Sequence, residues 1–454
     1  MENKKGIHYG WLIVFSCFMI MSLFLCIVMN CPGLFLISVT EEFGITRSQY
    51  TLNTTVISVA MMIISMNAGR IFSKFSVKKV MMVSSIILPI AYFFFSKATS
   101  IYMFYVISAV VGLCMGLCGM VPMSTLITRW FNEKKGLATG LAFTGSGLGG
   151  MILQPIIGKL IVNVGWRNTY AILAVLMFVL VVPCTVFIIK DYPSDKGLQP
   201  LGGMPKQDTN TPAPDDGMTL AQARTKPYFW IFLPLVTLSS AAACSMVQNV
   251  SPYVTDLGFD PTVAASLSAL SLGVLAACKV LLGQIYDKKG SLFTTVMSLS
   301  CLVAAAACYG SAVNTAFLYA GIFISGLGIA YTTVGYPINT QSMFGKKDYS
   351  AIYGNVASFS SIGTAIGSPI TSMIYDAYFT MNKEEWLNQE NKEYRMATEK
   401  RFKEYWNKFK YLHNNINEDY KNQIIMSIKN RMFAEGVILE AITFNQWIAS
   451  IEAL

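Results

Sequence analysis

The stretch "KVLLGQIYDKKG", Lys279–Gly290, decides the fold. An apolar run reaches Gly283 and breaks into the charged turn Asp287-Lys288-Lys289-Gly290. The segment "GRIFSKFSVKK", Gly69–Lys79, repeats that design 214 residues earlier, with Gly69 in register with Gly283. The same gap-free shift pairs Glu42 with Asp256, Gly44 with Gly258, Gly112 with Gly326, Gly140 with Gly354, Gly149 with Gly363 and Pro155 with Pro369. Two glycines coincide often by chance. One shift serving this many positions does not, so the chain reads as two copies of one unit.

Composition says what the unit is made of. The 454 residues are 54% hydrophobic and 13% charged, about half the charged fraction of a soluble domain, and the mean hydropathy is +0.49. Residues 381–454 hold 22 of the 59 charges in equal numbers of each sign, so the net +9 belongs to the first 380 residues. There it falls on short loops between apolar segments, which points to membrane topology and away from nucleic acid. Segments long enough to span a bilayer lie at about 11–38, 48–72, 79–97, 101–129, 136–163, 167–190, 228–255, 262–285, 292–312, 315–341 and 350–379. Their length excludes a barrel of ten-residue alternating strands.

With the N-terminus inside, the inner loops carry Lys4, Lys5, Lys74, Lys78, Lys79, Lys134, Lys135, Lys288, Lys289, Lys346 and Lys347, and the outer loops little beyond Arg47, Lys97 and Arg167. This asymmetry predicts a cytoplasmic N-terminus in a multi-pass protein of the cell membrane. The first apolar segment is too long for a signal peptide and is expected to remain as a helix. Both copies start inside, the parallel duplication found among secondary transporters. Four parts are expected: a six-helix half at 1–190, a disordered linker at 191–227 containing "PKQDTNTPAPDDG", a second half at 228–379 with five recognisable helices, and a charged tail at 380–454. The counterpart of the sixth helix would fall near 381–404, a stretch too charged to span. The twelfth helix is therefore absent or displaced. Met432–Leu454 reads either as an amphipathic surface helix or as a displaced twelfth span.

The ten cysteines all lie in apolar segments without a CxxC pair, and there are two histidines, so small apolar filler is the reading and no metal or cofactor is expected. Gly145, Gly147 and Gly150 fit a dinucleotide fingerprint, but inside a membrane helix they read as tight helix packing. No nucleophile–base pair or phosphate loop in a soluble context is present, so an enzyme is not expected.

Lys279 is the one charge near mid-membrane. It lies eight residues before Asp287, roughly 12 Å above the inner end of its helix. It either snorkels to the headgroups or lines a wet cavity and meets an anion. Snorkelling asks much of a side chain about 6 Å long, and the only carboxylate within the eleven spans is Asp376, near the outer end of the last one. Holding a lysine there costs about 2.5–3.5 kcal/mol, which favours an anion site. Ser146, Ser360 and Tyr331 fall near its depth, and Asn30 and Gln248 are further polar candidates for the cavity. Thr144, Gln154, Thr332 and Ser358 belong to the same polar set.

The two loops resemble the signature loop of the major facilitator superfamily, Gly-x-x-x-Asp-(Arg/Lys)-x-Gly-(Arg/Lys). Within it, "PGLFLISVTEEFGITRSQ" (Pro32–Gln49), "RWFNEKKGLATGLAFTGSGLGG" (Arg129–Gly150) and "FGKKDYSAIYG" (Phe344–Gly354) are similar to the oxalate:formate antiporter family and related monocarboxylate porters. The resemblance covers about residues 8–379. It implies a major facilitator fold, with two pseudo-symmetric helical halves around a cavity. It also implies a conformational latch of Gly69, Lys74, Lys78, Gly283, Asp287, Lys288 and Gly290. The first latch has Ser73 and Ser76 and lacks its carboxylate.

Lys279 matches the position of these relatives' helix 8 cation, with lysine where arginine is usual. Where the oxalate transporters carry a second cation this chain has Ser360. Where the monocarboxylate porters carry an acid and a helix 1 lysine it has Leu275 and, at about the equivalent place, Asn30. The expected function is alternating-access transport of a small organic anion, a monocarboxylate such as formate, lactate or pyruvate, by exchange or proton coupling. The expected partners are that anion, the bilayer and a proton or counter-anion, with a monomer as the expected state. Export of a drug-like compound and a non-transporting sensor are the alternatives.

Overall fold

The computed structural model describes residues 8–203, 217–256, 261–310, 315–367 and 370–371. These residues are almost wholly helical. Their only β-structure is two isolated bridges, Phe131 with Leu201 and Gly217 with Gly345. In chain order the first half contains α1 (Gly10–Ile20), continued by π-helical turns over Met21–Asn30, then α2 (Pro32–Phe43), α3 (Arg47–Lys74), α4 (Val77–Phe95), α5 (Ile101–Cys118), α6 (Met120–Trp130) and α7 (Lys135–Pro183). After the short α8 (Leu220–Arg224) come α9 (Pro227–Asp256), α10 (Pro261–Lys289), α11 (Ser291–Gly310), α12 (Thr315–Ala330) and α13 (Tyr336–Phe344). A last helix, α14, runs over 349–367.

Nine helices among the described residues are long and apolar enough to cross a membrane. One of them, Lys135–Ile188, has 54 residues, far beyond the ~20 a bilayer needs. It is broken at Gly165, whose φ of 80° and ψ of 160° suit only glycine, and so supplies the fifth and sixth expected spans. The remaining expected span is α14. The twelfth span and the tail at 380–454 lie outside the described residues. The protein is an all-α, multi-pass membrane protein.

The sequence sets the helix ends locally. Thr46 and Gln49 form a reciprocal capping box at α3, with Gln49 N donating to Thr46 Oγ1 (3.2 Å) and Thr46 N donating to Gln49 Oε1 (2.9 Å). Ser76 and Ser100 cap α4 and α5. Large apolar side chains such as Phe15, Val106, Val175, Ile231 and Val303 stay exposed on the outside of the bundle, as a lipid-facing surface requires.

The repeat is visible in the helix interruptions. The fourth span breaks at Gly119 (ψ −140°), between α5 and α6. Its copy breaks at the π-helical turn Tyr331–Gly335, between α12 and α13. Gly119 shifted by the repeat offset is Thr333, inside that turn.

One end of the bundle, the end of the expected latch, carries Lys74, Lys134 and Lys288, and the opposite end carries Glu42 and Arg167. Arg167 ties three elements together there. It donates to Glu42 Oε1 through Nη2 (2.7 Å) and Nε (3.0 Å), and to the carbonyls of Ser96 (3.1 Å) and Ala98 (2.7 Å).

The linker departs from expectation. The stretch 204–216 lies outside the described residues, but its flanks are built into the end of the expected latch. Leu201 N donates to Trp130 O (3.0 Å), and Leu201 O accepts from Asn132 N (2.9 Å) and Glu133 N (3.0 Å). On the other flank Met218 N donates to Phe344 O (2.8 Å) and Leu220 N to Asp348 Oδ2 (3.0 Å). Composition does not reveal this order because backbone groups make it. The two docking points, Phe131 and Gly345, are themselves one repeat offset apart.

Candidate functional site

The two halves meet along seams made by small residues. The first half of α7 runs antiparallel to the end of α10. A methyl on Gly136 would lie 2.0 Å from Gly283 O, one on Gly283 2.1 Å from Gly136 O, and one on Gly140 2.4 Å from Lys279 O. Further along, Gly147 abuts Ala276 and Leu272. Backbones this close leave room only for hydrogen at Cα. Thr144 Oγ1 crosses the seam to Ala276 O (3.2 Å).

A second seam, between α3 and α14, repeats the first. Gly69 abuts Ala351, Gly354 abuts Ser65 O, and Ser358 Oγ donates to Met62 O (3.3 Å). Ser358 and Met62 are Thr144 and Ala276 moved by one repeat offset in opposite directions. The glycines of the apparent dinucleotide fingerprint are seam and packing residues: Gly145 abuts Phe18 O and Gly147 abuts Ala276.

Lys279 sits in the first seam. It is 2% exposed and, among the described residues, is the only buried charged side chain. Its Nζ donates to Phe143 O (3.1 Å) and Ser146 Oγ (2.7 Å). Both acceptors are neutral. Ser146 Oγ donates in turn to Phe143 O (3.0 Å). The Ser146 carbonyl accepts from Asn30 Nδ2 (3.4 Å), and Gln154 Nε2 donates to Asn30 O (3.0 Å). Asn30 is exposed at the end of the π-helical segment. A polar path therefore leads from an exposed amide, through Ser146, to a buried ammonium.

Of the candidate substrate residues, the structure brings together Lys279, Ser146 and Asn30. Ser360 and Tyr331 belong to another group. Ser360 Oγ bonds Ser240 Oγ (2.8 Å), and Ser240 and Ser239 both bond Tyr336 Oη (2.8 Å each). Tyr331 accepts from Asn339 Nδ2 (3.2 Å) and meets the Tyr336 ring edge-on at 5.1 Å. Gln248 lies in α9, and its side chain is outside the described residues. Phe143 escaped sequence reading because its contribution is a backbone carbonyl. Ser239, Ser240 and Tyr336 escaped it as common apolar-helix residues.

The residues of the expected latch show two chemistries. Asp287 accepts from the first amides of α7, Gly136 N (2.8 Å) and Leu137 N (2.9 Å), so a carboxylate from one half caps a helix of the other. Gly290 turns the chain at φ 80°, while Lys74 and Lys288 are exposed. In the first copy the missing carboxylate is replaced from a distance. Asp191 accepts from Lys78 N (2.8 Å) and Ser76 Oγ, and lies 3.8 Å from Arg129 Nη1. This anchor ties the start of the linker to the first half and does not reach the second. Between the halves, Lys346 Nζ donates to Asn132 Oδ1 (2.6 Å) and Thr128 Oγ1 to Gln341 Oε1 (3.5 Å).

The pattern of the Major Facilitator Superfamily matches residues 16–378. The chain is 24% identical over 325 residues to the Escherichia coli (strain K12) protein named uncharacterized MFS-type transporter YhjX, covering 71% of this chain and 77% of that one. It is 23% identical over 292 residues to monocarboxylate transporter 12 of Xenopus laevis, covering 60% and 63%. It is also 23% identical over 348 residues to the oxalate:formate antiporter of Oxalobacter formigenes, covering 74% and 78%. Among solved structures, a variant of the E. coli fucose:proton symporter, FucP, superposes with a TM-score of 0.60 at 15% identity, over 82% of this chain and 93% of that one. That likeness concerns the fold alone. These relatives are transporters, not enzymes.

Proposed function

The chain belongs to the major facilitator superfamily, and from that premise we propose that it carries a small organic anion, a monocarboxylate such as formate, lactate or pyruvate, by alternating access of its two halves. The observation that carries this reading is Lys279. Its ammonium is buried against two neutral oxygens, and a carboxylate is a stronger partner for a cation than either. The names of two relatives, a monocarboxylate transporter and an oxalate:formate antiporter, support the same substrate class.

A single cation favours one carboxylate over two, because Ser360 offers a hydroxyl and no second charge. In the proposed orientation the N-terminus and the latch end face the cytoplasm. The packed seams then close the cytoplasmic mouth, and Asn30 receives the anion from the other side. Rocking of the halves would break the seams and present the site inward, in exchange for a second anion or with a proton.

The test is counterflow in proteoliposomes with labelled formate, lactate, pyruvate and oxalate. At least one monocarboxylate should exchange in the wild type, and Lys279→Gln should reduce that exchange at least about tenfold, corresponding to about 1.4 kcal/mol. Undiminished exchange in the variant would overturn the assignment. Export of an apolar compound predicts that indifference.

A further inference from the structure

Both partners of Lys279 belong to the opposite half. Its backbone is in α10, while Phe143 and Ser146 are in α7. The ammonium, the Ser146 hydroxyl and the Phe143 carbonyl form a closed triangle across the seam. The other seam has no such feature. There the repeat offset puts Ser65 in place of Lys279 and Ser360 in place of Ser146, and Ser360 turns its hydroxyl to Ser240 within its own half. Both seams thus carry the matched neutral bond, Thr144–Ala276 on one side and Ser358–Met62 on the other, and the α7–α10 seam adds the Asp287 cap at its end and the Lys279 ammonium deeper in.

We propose that Lys279 is the bolt of the α7–α10 seam: in the empty protein it fastens the halves through Phe143 and Ser146, and an arriving carboxylate draws the bolt by claiming the same ammonium. This rests on the reading that Lys279 receives the substrate. An ammonium carries three donors, and Phe143 and Ser146 engage it at two acceptors, which leaves one donor for a carboxylate as the seam begins to part. A ligand shifts an equilibrium only by its differential affinity for the two states. The carboxylate has that differential, because it binds best to an ammonium freed from helix α7. Binding and unfastening become one event, and the unladen protein is held against reorientation. Ser146 is then a positioning residue for the lysine and not a contact for the anion.

Hydrogen–deuterium exchange on the full-length protein in lipid nanodiscs tests the bolt without labels. Without substrate, Lys279→Gln and Ser146→Ala should each raise exchange several-fold in 136–147 and 272–283. The segment 166–170, pinned at the far end by Arg167, reports whether each variant remains folded. Adding formate, lactate, pyruvate and oxalate in turn to the wild type should raise exchange in the same two segments for each anion that counterflow shows to be carried. In proteoliposomes, Ser146→Ala, which keeps the charge, should increase net efflux into anion-free buffer relative to exchange. If Lys279→Gln loses counterflow but both segments stay protected, the bolt is wrong and the carboxylate site stands. If both segments open but counterflow is intact, the carboxylate site is wrong and the release step falls with it. An unchanged efflux-to-exchange ratio in Ser146→Ala also overturns the bolt.

Discussion

Lys279 and Glu42 show how differently one side chain can matter in this protein. Lys279 is buried among neutral groups at the seam, while Glu42 is about half exposed at the far end in a network with Arg167 and Trp166. The hydrogen bonds from Arg167 hold the Glu42 carboxyl below the usual carboxylate range. Partial burial opposes this, and the Trp166 N–H adds to the lowering. A carboxyl with a depressed folded pKa stabilises the protein above its unfolded pKa, near 4.3, and the contribution is lost as pH falls through the folded value. Glu42→Gln should therefore cost about 0.5–1 kcal/mol at pH 7, discounted for exposure. The gap to wild type should close as the pH is lowered from about 5 to about 3, as read by thermal midpoints of the solubilised protein. A gap independent of pH would mean that shape, not charge, holds the network.

Much of this scale was legible in the sequence. A lone lysine in an apolar run has few roles, and Ser146 was a candidate for its depth. The carbonyl of Phe143 was not legible, because every residue has one. Nor was Asp191, which serves the first latch from 115 residues beyond Ser76.

At the scale of the elements, glycine placement decides which surfaces can touch. Gly283 faces the Gly136 carbonyl, and no flexible side chain there can move aside. Gly158, in the same long helix as Gly136, has nothing within 4 Å of where a methyl would go. Gly283→Ala should overpack the seam by about 1–3 kcal/mol and cut counterflow at least about tenfold by preventing closure. Gly158→Ala should leave transport unchanged and be neutral or up to about 1 kcal/mol stabilising through helix propensity. Equal effects of the two would refute the seam geometry. Hydropathy located the spans well, since a 20-residue apolar run has little choice in a bilayer. It did not show that the first span ends in π-helical turns at Asn30, or that the linker flanks dock on the loops. Both depend on where backbone hydrogen bonds go, and hydropathy carries no record of that.

The described residues form a duplicated frame whose seams differ in charge, with Lys279 and Asp287 on one and Ser65 and Ser73 at the matching positions of the other. A 214-residue offset, read from glycines and prolines, also relates Thr144–Ala276 to Ser358–Met62, the interrupted fourth span to the interrupted tenth, and the two linker docking points to each other. Two related neutral bonds should matter alike. Thr144→Val and Ser358→Ala are expected to raise net efflux by similar factors of about two to five, the weight of one hydrogen bond of roughly 0.5–1 kcal/mol. Proteoliposome efflux into anion-free buffer measures both, and a strong effect of one alone would break the symmetry claimed for the seams. The offset could be read early because a glycine at a backbone crossing tolerates no replacement. The asymmetry at Lys279 and Ser65 was legible only as a difference in charge, and its partners required coordinates.

That asymmetry also gives the molecule an electrical character. On the proposed reading, a single positive charge riding with one half makes membrane voltage part of the cycle. Laden with the proposed monoanion, the site would move no net charge; empty, it would move one. One elementary charge across 100 mV corresponds to about 2.3 kcal/mol, enough to alter a rate by well over tenfold. One-for-one exchange of monoanions would proceed regardless of the potential. Each empty return would be driven or opposed by it, so the cell's own voltage would decide how closely influx and efflux are matched.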